Sequence, residues 1–124
     1  MRDPKKMMVL ENAMALAVDV YRLTGEFPAS ERFGLAAQMR RAAVSVGSNI
    51  AEGCGRSGDR EFLHFLRISR GSTTELAFQV TLAAKLGFGS AAGCASVTES
   101  VDHVQRMLNR LTNAVRQKIG HPTR

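Results

Sequence analysis

A chain of 124 residues, 44% hydrophobic and 23% charged, can bury one core without disulfide or metal staples. Its formal charge of +6 and sequence pI near 10.2 favour anionic partners, although such an excess also serves solubility alone. The two cysteines, Cys54 and Cys94, form no C-x-x-C pair, which excludes a cysteine-based zinc site and gives no ground for a disulfide framework.

Two further exclusions concern the membrane. The N-terminal MRDPKKMMVL lacks the long apolar core and small-residue cleavage site of a signal peptide. No uninterrupted apolar run approaches the roughly 18 to 20 residues a membrane helix needs. A cytoplasmic, reduced protein with no membrane partner is the expected class. Among the 17 basic residues all but Lys5, Lys6, Lys85 and Lys118 are arginine. Arginine's planar fork suits phosphate and carboxylate, and a GC-rich genome accounts for the bias equally well.

Apolar spacing places four helices at about residues 5–24, 30–53, 58–86 and 94–119, within one domain spanning 1–124. Helix 1 has Asp3 available as N-cap and Pro4 at the first helical position. Its polar residues Lys5, Asn12 and Asp19 recur every seventh position and apolar residues fill nearly everything else. So much apolar girth exceeds what a lone bundle buries and implies a second contact surface, taken to be another copy of the chain.

Gly25 closes helix 1, Phe27-Pro28 forms the connection, and Ser30 is the expected N-cap of helix 2, with Glu31 well placed for the helix dipole. Helix 2 carries Leu35, Met39, Ala43, Val46 and Ile50 at alternating spacings of four and three, beside a polar stripe of Gln38, Arg41, Ser45, Ser48 or Asn49, and Glu52. Gly53, Gly55 and Gly58 punctuate the turn. Ser57 or Asp59 can cap helix 3, which Gly87 ends. Ser90 is an alternative early start for helix 4, whose seam is Val97, Val101, Val104, Leu108, Leu111 and Val115. Gly120 to Arg124 is expected to fray. Interior Gly47 and Gly71, each costing about 1 kcal/mol against alanine in a helix, suggest places of close approach. With no strand alternation and no long repeat, the fold class is all-α, an up-down-up-down antiparallel four-helix bundle.

The motif Ser48-Asn49-Ile50-Ala51-Glu52-Gly53, then Arg56, Glu61-Phe62, Phe65-Leu66, Arg70-Gly71-Ser72 and Glu75-Leu76, follows in order along helices 2 and 3. It resembles the bacterial four-helix-bundle family encoded in 23S ribosomal RNA intervening sequences, which includes the accessory variability proteins of diversity-generating retroelements. Tyr21, Phe27, Pro28, Glu31, Leu35, Gln38 and Arg41 extend the likeness upstream. Gly47, Cys54 and Ser69 depart from the family's frequent proline, aromatic and alanine. The resemblance implies a homopentamer with a basic surface. In the retroelement branch it also implies binding to nucleic acid and to a reverse transcriptase.

No set of residues amounts to an active site. Glu61-x-x-His64 has the spacing of di-iron bundle ligands, but Glu99, Asp102 and His103 on helix 4 do not supply the second set. Ser48 and Cys54 have no evident base, and the glycine cluster follows no strand. The polar set Gln38, Arg41, Asn49, Glu52, Ser72 and Glu75 therefore reads as architectural, with Arg41 and Glu75 expected to form a partly buried pair completed by Gln38 and Ser72. Neither a metal nor a cofactor is expected.

The binding candidates are Arg56, Arg60, Arg67 and Arg70 around the turn and first half of helix 3, with Arg40, Arg106 and Arg110. Arg60, His64 and Arg67 share one helical stripe. Five copies at +6 carry +30, a substantial field for RNA or a DNA/RNA hybrid. The expectation is a non-enzymatic homo-oligomer that binds nucleic acid through phosphates. The alternative is a protein-interaction scaffold whose charge is incidental.

Overall fold

Apolar residues spaced three and four apart give each helix one buried stripe, and four such stripes close on one another around a shared core. The computed structural model describes residues 3–120, and the C-terminal fray expected beyond Gly120 lies outside them. The helices are α1 (Pro4–Thr24), α2 (Leu35–Cys54), α3 (Asp59–Leu86) and α4 (Ala91–Gly120), with one 3₁₀ turn at Ala29–Glu31. Each helix packs on its two sequence neighbours, taken cyclically, while the backbones of the diagonal pairs α1/α3 and α2/α4 do not approach. The chain is an antiparallel four-helix bundle. No strand occurs among the described residues.

Leu16 of α1, Met39 and Ile50 of α2, Leu66 and Leu76 of α3 and Leu108 of α4 are fully buried at its centre. Each large aliphatic side chain removed from water contributes about 1.5–3 kcal/mol. All six members of the expected α4 seam are buried.

Local caps set several helix ends. Asp3 accepts from the Lys5 amide at 2.9 Å ahead of Pro4. Gly87 ends α3 at φ 75°, a left-handed cap that only glycine takes without strain. The α4 start is the early one: Ser90 Oγ accepts from the Gly93 amide at 3.0 Å, and the helix begins at Ala91 rather than near residue 94.

Three expectations change. Neither Ser57 nor Asp59 caps α3, whose N-cap is Gly58 with no side-chain cap bond. Ser30 does not cap α2. The chain makes its 3₁₀ turn first, and α2 begins at Leu35, whose amide donates to Glu31 Oε1 at 3.2 Å. A Cβ at residue 34 would lie 2.9 Å from that carboxylate oxygen, so Gly34 makes room for the side-chain cap. The close approach also lies elsewhere. A Cβ on Gly71 would meet nothing within 4 Å, and one on Gly47 would make an ordinary contact with Ala13. At Gly53 it would sit 2.8 Å from Phe62 Cδ1 and 3.0 Å from Phe65 Cβ, so the tight approach of α2 and α3 is beside the turn.

Candidate nucleic-acid interface

On α3, residues 60, 64 and 67 fall on the side away from the buried seam, as their helical spacing from Phe62 and Leu66 requires. Arg60, His64 and Arg67 are all exposed, and neither arginine forms an ion pair among the described residues. His64 meets the edge of Phe65 with ring centroids 5.2 Å apart. Arg70, one turn further, is half-buried. Arg60 and Arg67 keep their charge turned to solvent, and among the described residues no carboxylate pairs with either.

The other candidate arginines are more engaged. Arg56 pairs with Glu52 one helical turn earlier, and its guanidinium lies 5.3 Å from the Phe65 ring centroid. Arg106 pairs with Asp102 on α4. Such exposed pairs contribute little to stability, and a competing phosphate displaces them easily. Arg110 and Lys5 flank a 240 Å³ groove between α1 and α4, floored by Met8, Val9, Met107 and Leu111. Arg40 is half-buried: its Nε donates to Thr24 Oγ1 at 2.8 Å and its guanidinium lies 4.7 Å from the Tyr21 ring centroid.

The polar set divides in two. Ser72 Oγ donates to Ser45 Oγ at 2.8 Å, and Asn49 Nδ2 donates to the Ser45 carbonyl at 2.8 Å. Buried Ser69 donates to the Val46 carbonyl at 2.8 Å. The Ser72 and Ser69 bonds form the seam between α2 and α3, and Asn49 braces Ser45 from within α2. Arg41, Gln38 and Glu75 stand outside it, all exposed. The seam contacts put Arg41 and Glu75 at about the same level of the hairpin, yet no bond joins them; Glu75 Oε1 accepts instead from Gln79 Nε2 at 3.2 Å. The expected buried ion pair is absent because both side chains lie on the solvent flank, where water solvates each charge. Glu52 pairs with Arg56 of the turn.

Burial pushes both thiols up from their ordinary pKa, with nearby Lys6 pulling Cys54 partly back. A thiol held protonated is a poor nucleophile. Among the described residues no three His, Cys, Asp or Glu side chains gather as a metal-binding group, and Glu61 and His64 are both exposed.

Three features escaped the reading of the sequence. Arg116 lines a shallow 530 Å³ depression on α4 with Asn113 and Gln117, and nothing in its spacing distinguished it from a solvated residue. Two aromatics stand in solvent, Phe78 at 68% exposure and Phe33 at 87%. Phe33 lies in the connection that was expected to be helical.

A helical bundle built on this hairpin has known counterparts. The family model for the 23S rRNA-intervening sequence protein matches residues 5–110. The chain belongs to that family. Its fold is also that of a crystallised protein of unknown function from the S23 ribosomal protein family of Bacteroides thetaiotaomicron, with a TM-score of 0.81 at 18% sequence identity. The likeness covers 88% of this chain and 98% of that one. No curated protein matches.

Proposed function

We propose that the protein is a non-enzymatic, self-associating accessory protein that binds structured RNA, or a DNA/RNA hybrid, through its phosphates. The observation that carries the reading is the outer face of α3, where Arg60 and Arg67 stand exposed without a carboxylate partner among the described residues. Guanidinium groups so placed neutralise phosphate without first breaking an internal pair. The family's name, which refers to a sequence within 23S ribosomal RNA, agrees with an RNA partner.

Self-association is supported by the opposite side of the bundle. Met14 is 64% exposed and Val44 45% exposed on the rim of a 290 Å³ groove between α1 and α2, whose floor includes Ala13, Ala17 and Gly47. The reading takes this assembly to be a pentamer, as the sequence resemblance implies, so that arginines from several copies act on one nucleic acid. The reading places it in the cytoplasm, where both free thiols stay reduced.

The test is an anisotropy titration of a labelled RNA hairpin at several salt concentrations, with assembly mass from light scattering. Affinity falling linearly with salt on logarithmic axes, with a shallower slope for Arg60→Ala/Arg67→Ala, is the expected result. Salt-independent affinity refutes phosphate-led binding, and a monomer mass at micromolar concentration refutes self-association.

A further inference from the structure

The connection from α1 to α2 encloses a second cationic place, separate from the α3 stripe. Thr24, Gly25, Phe27, Pro28, Arg32 and Arg40 line a cavity of 330 Å³ there. Among the described residues, the charged ones that line it are the two arginines. The two carboxylates of the same connection are occupied: Glu26 Oε1 accepts from the Ser90 amide at 2.7 Å and Glu31 Oε1 from the Leu35 amide at 3.2 Å.

Arg40 is held in place before any ligand arrives. Its Nε is bound to Thr24 and its plane lies over Tyr21, and its two Nη nitrogens make no hydrogen bond among the described residues. Arg32 joins the cavity to Phe33: its guanidinium carbon lies 5.4 Å from the Phe33 ring centroid, and Phe33 remains 87% exposed. One wall therefore offers a fixed guanidinium with free donors, and the rim offers a second guanidinium beside an open aromatic face. An exposed phenylalanine alone is unremarkable in energetic terms. Next to a carboxylate-free, two-arginine cavity it matches a ligand with an anionic group and a flat ring.

The geometry points to a nucleotide site in which Arg32 and Arg40 hold a phosphate and an unstacked base lies on Phe33. The chemistry is that of a phosphorylated heterocycle, presented by single-stranded RNA. Bases of a duplex are stacked on one another and cannot reach the ring, whereas single-stranded bases splay out and stack on aromatic and guanidinium planes. This inference rests on the RNA-binding reading and adds to it a contact with unpaired nucleotides that loop out of, or flank, the structured nucleic acid.

The experiment uses the full chain, a labelled 12-nucleotide oligoadenylate, a duplex of the same length, and AMP as the minimal ligand. Phe33→Ala is expected to weaken oligoadenylate binding about ten-fold, the scale of one lost stacking contact. Phe33→Tyr keeps the stacking face and restores wild-type affinity, and the duplex binds all three proteins alike. AMP shifts the Arg40 Nε–H resonance of the wild-type protein, a readout that depends on no variant. Oligoadenylate binding unchanged in Phe33→Ala, or equal displacement of it by polyglutamate, overturns the site. If RNA then still binds with a salt slope set by Arg60 and Arg67, the broader RNA reading survives that failure. If AMP shifts Arg40 while neither RNA binds, the cavity is a mononucleotide site and the RNA reading falls.

Discussion

Arg40 on α2 gives its Nε–H to Thr24 Oγ1 on the last turn of α1, across 2.8 Å. The same hydroxyl donates to the Val20 carbonyl at 2.8 Å, so the arginine is tied through threonine to the backbone of the neighbouring helix. A hydrogen bond from a charged donor contributes about 1.5–3 kcal/mol net, and the Tyr21 ring beneath adds a cation–π contact. Arg40→Met is therefore expected to destabilise the bundle by about 2 kcal/mol in urea melts. Thr24→Val and the double variant complete a cycle with a coupling of at least about 1 kcal/mol. Additive losses show that the two side chains act independently.

Two glycines on adjacent helices respond in opposite directions. At Gly53 an added methyl would meet Phe62 Cδ1 at 2.8 Å and Phe65 Cβ at 3.0 Å, forcing α2 and α3 apart beside their turn. Gly53→Ala is expected to cost about 1–3 kcal/mol, as overpacking does. At Gly71 the same methyl meets nothing within 4 Å, so Gly71→Ala gains about 1 kcal/mol of helix propensity. Thermal melts of the two variants at equal concentration check both. A loss at Gly71 means that the outer face of α3 is packed against a second chain.

These two glycines also show how far a sequence can be read. The helices themselves were legible because apolar spacing records which face is buried: Val97 through Val115 on α4 and Met39 through Ile50 on α2 lie in the core as their periods require. Local caps were legible for the same reason at Asp3 and Gly87, where the cap and its partner are neighbours in the chain. Close approach is not a local property. Gly47 and Gly71 look as informative as Gly53 until Phe62 and Phe65 are brought against one of them. The late start of α2 turns on Glu31 reaching an amide past Gly34, which no propensity for Ser30 reveals. Arg40 looked like one more surface cation because Thr24, its partner, is on another helix, sixteen residues away.

Arg41 and Glu75 provide the converse case, two charges whose spacing suggests a pair that the structure does not form. Both are exposed and Glu75 is engaged by Gln79. A surface charge outside any network changes stability by no more than about 0.5 kcal/mol when replaced. Arg41→Met is expected to melt within that range, Glu75→Met to lose about 1–3 kcal/mol because it leaves the buried Gln79 Nε2 without its acceptor, and the double variant to lose the sum of the two. A loss of several kcal/mol from either single variant, restored in the double, establishes a buried pair instead.

The two thiols make stability depend on pH in one direction. Cys94 is 4% exposed and donates to the Phe88 carbonyl at 3.4 Å, while Cys54 is half-buried near the turn. Burial raises the pKa of each in the folded chain. In the unfolded chain both ionise in the ordinary thiol range, about 8.5. Below that range the folded and unfolded states bind the same thiol protons and the cysteines leave stability unchanged. As pH rises through it, thiolate forms first in the unfolded chain, which is stabilised relative to the fold, so stability declines toward the raised folded values. Melts at pH 7, 8.5 and 10 are expected to show this decline. Cys94→Ala, compared with the wild type across the same series, lessens the slope while lowering stability overall, because the methyl fills less of the core. Iodoacetamide at pH 8 supplies the kinetic counterpart: both cysteines react more slowly than a free thiol, and Cys54, the less buried of the two, is the first to be modified. Labelling as fast as that of the denatured chain contradicts the burial that raises these thiols.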